Sequence, residues 1–501
     1  MTKEGTIQSE YNKYVSEDRK PYEDRAEVCA KLTLPFLFTE SSFNRNEALE
    51  DNYVQSLGAR AVNHLAAKIV MSLLPPAGQF FRYEPDSVAL NELTQGDQDR
   101  RQQIASIMSQ QSIRVHEEVK AQDIRTPIFN AIRMLLVTGS VLIEKIEGSG
   151  VRMFGLRSFV VKRDPRGGMR ELIFEESISK DNLPSEIVPE SDKEYYNLFT
   201  KVKRSSDQWI QTQEIDGQRV DKEVIYNDDE MPFQVLDWTL IDGENYGRSY
   251  VSQNIGDLSQ YETLSEVLTQ GSVIASKTII FVNPLSAKGT KKRDLVRAKN
   301  GAVLNGSAED VSAFQLQKNY DFQVAEARLQ KLERQIGSAF LMQSAVQRDA
   351  ERVTAEEIKF MAQELETAFA GIYSTLAKNL LKRIVTWIAL EIGVQLGDEI
   401  NTTIIVGVDA LSRSAESQKL DAYLSRMANL GLMDYINRAE VATRYAVYDG
   451  IDSVGLLKTQ TQVNQENAQK QQAMLQQQAQ MAGADSLGTD AGKAIVEQAK
   501  G

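Results

Sequence analysis

Between Arg248 and Ile392 apolar positions recur at helical spacing in three successive stretches. Ile255, Leu258, Tyr261, Leu264, Leu268 and Ile274 lie on one face at ~3.6 residues per turn, which predicts a first helix. Ala325, Leu329, Leu332, Ile336 and Phe340 form a second stripe, and Glu326, Arg328, Lys331, Glu333 and Arg334 lie off it. The third stretch opens on Thr354-Ala355-Glu356-Glu357, a capping box in which the Thr hydroxyl and the Glu carboxylate each satisfy an orphan amide. It runs through Ile358, Met361, Leu365, Phe369, Ile372, Leu376 and Leu380 towards Trp387, predicting one long helix of ~50 Å at ~1.5 Å per residue. Between the second and third helices, residues 342 to 353 are polar and without sustained periodicity. Between the first and second, Thr278 to Val282, Ala302 to Leu304 and Val311 to Leu316 read as short strands around a basic insert.

The pattern is helical again from the start to about residue 85, with apolar spacing over Glu23 to Leu34 and Val54 to Leu74. Leu57, Ala61, Leu65, Ile69 and Leu73 form the second of these stripes, and Pro75-Pro76 ends it because proline cannot donate an amide. His64 lies beside the stripe and is expected to be a partly buried, satisfied histidine. Residues 90 to 147 also read as helical, with Pro127 starting a helix that ends near Gly139. From about 151 to 245 the period shifts to two. Val151 to Phe159, Leu172 to Ile178, Tyr195 to Val202, Trp209 to Ile215, Val220 to Tyr226 and Gln234 to Leu240 predict strands of a small antiparallel sheet or barrel inserted in a helical protein. Arg163-Asp164-Pro165-Arg166-Gly167-Gly168 and Asp216-Gly217 supply turns. Beyond Ile392, Thr402 to Val408 is strand-like, and helices are expected over Ser414 to Gly431 and Asp434 to Tyr448. From Thr459 the chain is Gln/Ala-rich, with little apolar surface to bury.

Some of these runs carry a resemblance. Ser344-Ala345-Val346-Gln347-Arg348, followed by Glu351-Arg352-Val353-Thr354-Ala355-Glu356-Glu357-Ile358, is the most specific of them. Tyr246-Gly247-Arg248-Ser249-Tyr250, Ile255-Gly256-Asp257-Leu258, Val282-Asn283-Pro284, Pro21-Tyr22-Glu23-Asp24-Arg25-Ala26, Leu57-Gly58-Ala59-Arg60 and Arg163-Asp164 support it. Together, over roughly residues 11 to 450, the chain resembles the head-to-tail connector (portal) proteins of short-tailed, podovirus-type phages.

Composition narrows the remaining chemistry. A chain of 501 residues at 42% hydrophobic can bury a large core over about three domains. One cysteine, Cys29, excludes an internal disulfide and fits a reducing compartment. Met1-Thr2-Lys3-Glu4-Gly5 has no apolar signal region, and no apolar run reaches membrane-spanning length, so synthesis in a host cytoplasm and no membrane partner are expected. The formal charge is −13, of which Glu171 to Glu230 holds −9, from sixteen acids against seven bases. Such a chain is poorly suited to tight duplex binding and well suited to something DNA passes without sticking. Asp228-Asp229-Glu230 reads as a solvated acidic loop, because three adjacent acids do not converge as a spaced calcium loop does. No P-loop or Gly-x-Ser-x-Gly elbow is present. His116-Glu117-Glu118-Val119-Lys120 lacks the second histidine of a zinc-protease motif, and one cysteine with two distant histidines does not make a zinc or Cys/His site. No catalytic residue, metal or cofactor is expected.

The resemblance implies a mainly α, ring-forming portal fold with wing, stem, clip and crown and an inserted antiparallel β domain (α+β). Applied here, it places N-terminal helices and wing over 1–247, stem helix one over 248–277, clip over 278–320 and stem helix two over 321–340. A tunnel loop would follow over 341–353, a long wing or crown helix over 354–392, crown over 393–458 and the Gln/Ala-rich tail over 459–501. The stem helices would pair antiparallel and present Asp257, Glu262, Glu266, Glu326, Arg328, Lys331 and Arg334. The tunnel loop would present Gln343, Gln347, Arg348, Asp349, Glu351 and Arg352 to DNA. The clip insert carries Lys288, Lys291, Lys292, Arg293, Arg297 and Lys299 against Asp294, a local net of +5. Its charge either meets an acidic partner or incoming DNA, or only keeps an exposed loop soluble. The implied assembly is a dodecamer at one capsid vertex of the virion. Its partners would be double-stranded DNA, terminase, tail adaptor proteins, and the major capsid and scaffolding or internal core proteins. A head or tail adaptor ring, and less so a DNA-processing enzyme, are the competing readings.

Overall fold

The computed structural model describes residues 5–38, 55–75, 79–86, 98–183, 192–276, 279–282, 296–299, 303, 311–314, 319–342, 355–369, 371–394, 400–404, 408–436, 438, 441–442, 444–445 and 465–475. The chain is mainly helical with antiparallel sheets and falls into two compact units.

The first unit comprises Met1–Val70, Thr126–Ile146 and Val151–Asp349. Its N-terminal helix α1 (Ile7–Tyr14) is capped twice. The Thr6 hydroxyl accepts from the Ser9 amide at 3.2 Å, and the Glu214 carboxylate accepts from the Ile7 amide at 2.7 Å. Tyr11 on this helix packs with Val160, Ile173 and Phe199 of a sheet. A π-helical turn (Val15–Arg19) leads to α2 (Lys20–Lys31). Nη1 of the buried Arg19 donates to the Tyr11 hydroxyl and to the Arg157 and Phe159 carbonyls, while Nε makes no hydrogen bond and lies 3.4 Å from the Glu23 carboxylate. Next in order comes α3 (Leu57–Leu73), whose Ala61, Leu65 and Ile69 are buried, each large side chain contributing about 1.5–3 kcal/mol.

The inserted β region is two sheets rather than one sheet or barrel. Strands β2 (Ser140–Ile146), β3 (Gly150–Phe154) and β9 (Phe233–Asp237) pair in the order β3-β2-β9. Strands β4 (Phe159–Arg163), β5 (Met169–Ser179), β6 (Tyr195–Ser205), β7 (Gln208–Ile215) and β8 (Gln218–Asn227) form an antiparallel meander in sequence order. Gly155 and a single 3-10 turn over Leu156–Ser158 divide the expected strand of 151–159 between the two sheets. Asp216 and Gly217, both at positive φ (49° and 76°), make the tight β7–β8 turn.

The second unit comprises Met71–Arg125, Glu147–Gly150 and Ala350–Gly501. Here β1 (Phe81–Pro85) pairs antiparallel with β12 (Ile400–Ile404), and α4 (Gln98–Ala121) packs on β1. The next helix in the chain, α5 (Arg125–Thr138), belongs from Thr126 onward to the first unit. The expected long helix is two: α9 (Ala355–Phe369) and α10 (Ile372–Glu391). Gly371 separates them at φ +90°, a left-handed conformation that stops the helical ladder and that glycine adopts without strain. The Thr354 capping box lies outside the described residues. Tyr373, Leu376, Leu380, Leu381, Ile384, Trp387 and Ile388 make α10 the buried helix of this unit. α11 (Val408–Asn429) follows, and 465–475 is helical. After α11, residues 433–435 form a 3-10 turn where a longer helix was expected, and the remainder of that expected helix is largely outside the described residues.

His116 on α4 is buried against the Phe80 ring at 5.3 Å, and neither ring nitrogen has a hydrogen-bond partner. Burial pushes its imidazole down from 6.5 to about 4. The folded chain therefore resists protonation that the unfolded chain accepts, so this stability is complete above pH 6.5 and is lost as pH falls towards 4. Acidification across that window should cost ~2 kcal/mol of unfolding free energy, and His116→Phe should flatten that part of the profile. Urea unfolding of both proteins at several pH values measures this, and parallel profiles would count against it.

Candidate functional site

Over 248–277, the span expected for stem helix one, the chain forms the short helix α6 (Tyr250–Gln253), N-capped by Ser249, and then α7 (Ile255–Ser276). The turn that feeds them is pinned by a buried polar network. Arg163 donates to Asp237 Oδ2 at 2.5 Å, to the Asn245 carbonyl at 3.0 Å and to the Gly167 carbonyl at 2.9 Å. Asp237 Oδ1 accepts from the Ser140 hydroxyl at 2.6 Å and from the Gly247 amide at 3.1 Å. Arg163 and Asp237 side chains are 8% and 9% exposed, so the ion pair is shielded from water. Gly139 (φ +91°) and Gly247 approach so closely that a Cβ on Gly139 would lie 2.2 Å from the Gly247 carbonyl oxygen. From α2, Arg25 bonds the Ser252 hydroxyl at 2.9 Å, Tyr22 packs on Tyr246 at 5.3 Å between ring centroids, and Cys29 meets the Ser249 hydroxyl at 3.7 Å. Short runs far apart in the sequence, at 21–26, 163–164 and 246–250, thus converge on one structural task.

α8 (Asn319–Ala339) covers the span expected for stem helix two and runs antiparallel to α7. The Phe322 ring lies over Gly271, where a Cβ would meet it at 2.5 Å, and Arg328 donates to Gln260 at 2.9 Å. Two antiparallel strands, β10 (Ile279–Val282) and β11 (Val311–Phe314), close the far end and return the chain. The pair is deeply buried at one end only. Leu258, Tyr261, Leu332, Ile336 and Phe340 are buried, whereas Val267, Val273, Ile274 and Val324 are each at least half exposed. At ~1.5 Å per residue, a helix of this length gives ~33 Å of wall. Helix α7 carries Asp257, Glu262 and Glu266 and no basic residue.

At its inner end α8 stops in a left-handed turn. The Met342 amide bonds the Gly337 carbonyl at 2.7 Å, the Leu341 amide bonds the Ser338 carbonyl at 3.2 Å, and Leu341 has φ +54°. This is a Schellman ending with leucine where glycine is usual. The Tyr250 hydroxyl donates to the Ala339 carbonyl at 2.6 Å, with the Tyr250 and Phe340 rings 5.2 Å apart. Burial pushes the Tyr250 hydroxyl up, which keeps it a donor. Lys68 Nζ donates to the Leu341 carbonyl at 2.8 Å, and His64 Nε2 meets the same oxygen at 3.2 Å.

Of the residues singled out in the sequence, Glu266, Glu326, Arg328, Lys331 and Arg334 are exposed on the stem, and Asp257 and Glu262 are half-buried. Arg297 and Lys299 are exposed; Lys288, Lys291, Lys292 and Arg293 lie outside the described residues. So do Gln343, Gln347, Arg348, Asp349, Glu351 and Arg352. The reading from sequence missed Lys68 and Tyr250 at the stem's end. Their signals were present: a lysine one residue before Ile69 of a buried stripe, and a tyrosine directly after the Ser249 cap. Among the described residues no helix is long and apolar enough to cross a membrane, and no group of three His, Cys, Asp or Glu could hold a metal.

In the first unit, antiparallel sheets accompany an antiparallel helix pair whose half nearer β10 and β11 leaves Val267, Val273, Ile274 and Val324 exposed. The chain belongs to the bacteriophage head to tail connecting proteins, whose family model matches residues 5–457. It is 32% identical to the portal protein of Escherichia phage T7 over 96% of this chain and 91% of that protein. It is 31% identical to the portal protein of Enterobacteria phage T3, over 93% and 89% respectively, and 30% identical to that of Pseudomonas phage phiKMV, over 79% and 81%. Among solved structures it is similar to a chain in the neck of an empty GTA particle, with TM-score 0.38 and 13% identity over 79% of this chain and 90% of the other.

Proposed function

We propose that copies of this chain form a closed homo-oligomeric ring at the vertex of a short-tailed phage capsid, and that double-stranded DNA is packaged and ejected through its bore. The half-covered stem carries this reading. Its exposed Val267, Val273, Ile274 and Val324 are surface that a neighbouring copy would bury, and repeated head-to-tail contacts close when the rotation per copy closes. A dodecamer is the expected count. The acidic α7 suits a bore wall, because a duplex carrying a charge every ~1.7 Å is held off by carboxylates and would be retarded by fixed cations. In this reading 278–320 is the clip to which terminase and then tail adaptors dock, through Lys288, Lys291, Lys292, Arg293, Arg297 and Lys299. The wing and crown face the major capsid and scaffolding or internal core proteins. Negative-stain microscopy of the purified protein should show rings with a central hole and a stem. A solitary particle without a hole under all conditions would overturn the proposal.

The tunnel loop, 341–353, carries Arg348 and Arg352 against Asp349 and Glu351, a net charge of zero. Arginines there would touch phosphates briefly while the acids limit dwell time. Phage with Arg348→Ala and Arg352→Ala together should assemble rings normally but leak DNA from filled heads or eject abnormally. Unchanged packaging and retention would remove this role.

A further inference from the structure

Lys68 is an anomaly on its own helix. It is 4% exposed, and it follows Ala61 and Leu65 along the buried face of α3, where an apolar side chain would avoid the cost of desolvating an ammonium. Its Nζ meets the Leu341 carbonyl, at a helix C-terminus whose exposed carbonyls carry partial negative charge. His64, one turn earlier, meets the same oxygen, and Tyr250 ties the Ala339 carbonyl two residues before it. All this is concentrated on a peptide that leucine does not favour, since a left-handed residue with a Cβ is strained. Were Leu341 right-handed, α8 would run on, and each added residue would redirect the chain beyond it by ~100° and ~1.5 Å.

We propose that Lys68 is a positioning residue for the channel: with His64 and Tyr250 it locks the end of stem helix two in its left-handed stop, and so fixes the point from which residues 343–353 leave the stem. The clamp acts on the Ala339 and Leu341 carbonyls, and through Leu341 on where the chain leaves α8. Its effect on DNA rests on the channel reading above; its effect on the backbone does not.

The test has two arms. In purified rings, Lys68→Met keeps the length of the side chain and removes the donor. Hydrogen exchange at the Leu341 and Met342 amides should then quicken at least tenfold, with the Leu332 and Ile336 amides unchanged. Adding Leu341→Gly should restore protection, because glycine holds the left-handed turn without strain. In phage, Lys68→Met should raise genome loss from filled heads several-fold, and Leu341→Gly should reverse it. If Lys68→Met does not assemble, Tyr250→Phe removes one oxygen and should give the same local loss on a smaller scale. Unchanged exchange at 341 and 342, a uniform rise along α8, or a local rise with normal retention would each overturn the proposal. In the last case, abnormal retention in the Arg348→Ala, Arg352→Ala phage locates the failure in the clamp, and normal retention there locates it in the channel reading.

Discussion

Asp237→Ala is expected to lower unfolding free energy by about 3–5 kcal/mol, among the largest effects of any single substitution in this chain. The reason is the partner left behind. Arg163 is 8% exposed, and its remaining acceptors are the Asn245 and Gly167 carbonyls, which carry no formal charge. The Ser140 hydroxyl and the Gly247 amide would lose the same carboxylate. Removing one member of a buried pair costs more than removing both, so Asp237→Leu combined with Arg163→Met should recover a substantial part of the loss. Urea titration of the three proteins measures this. Equal destabilisation by the single and double variants would show that the pair's burial is not what matters.

Gly139→Ala should be comparably severe, at ~3 kcal/mol or more. Two independent costs combine. The residue sits at φ +91°, and its new Cβ would lie 2.2 Å from the Gly247 carbonyl oxygen and 2.8 Å from the Ser249 amide nitrogen. Both are backbone atoms at the root of stem helix one, so neither can swing aside as a side chain would. Gly148→Ala supplies the control, because Gly148 is also left-handed (φ +67°) but a Cβ there meets nothing within 4 Å. It should cost only ~1 kcal/mol. Similar midpoints for the two variants would sink the argument from close approach.

α8 was readable from periodicity because Ala325, Leu329, Leu332, Ile336 and Phe340 keep one apolar stripe over several turns, whereas in α7 the expected stripe fails at its far end, where Ile274 is half exposed. Strand β1 was not. Phe81 and Tyr83 do alternate with Arg82 and Glu84, but the run is five residues long and its partner, Ile400–Ile404, lies over 300 residues away. β2 fell within the stretch 90–147 read as helical, because Val141, Leu142 and Ile143 continue the apolar run of Leu135, Leu136 and Val137. Only the left-handed Gly139 separates them. The break at Gly371 was likewise invisible, since the apolar spacing carries across it and a glycine inside a helix costs only ~1 kcal/mol. The residues around Arg163 and Gly247 stand out in the sequence as short motifs. That they meet is a property of the fold, because Arg163 and Asp237 are 74 positions apart.

In the ring proposed above, the exposed valines and Ile274 of α7 and α8 would be covered by a neighbouring copy. The stability of this half of the helix pair would then grow with protein concentration, by mass action. On dilution, melting should begin at the far tip, near β10 and β11, and proceed towards Leu258 and Phe340, which need no companion to stay dry.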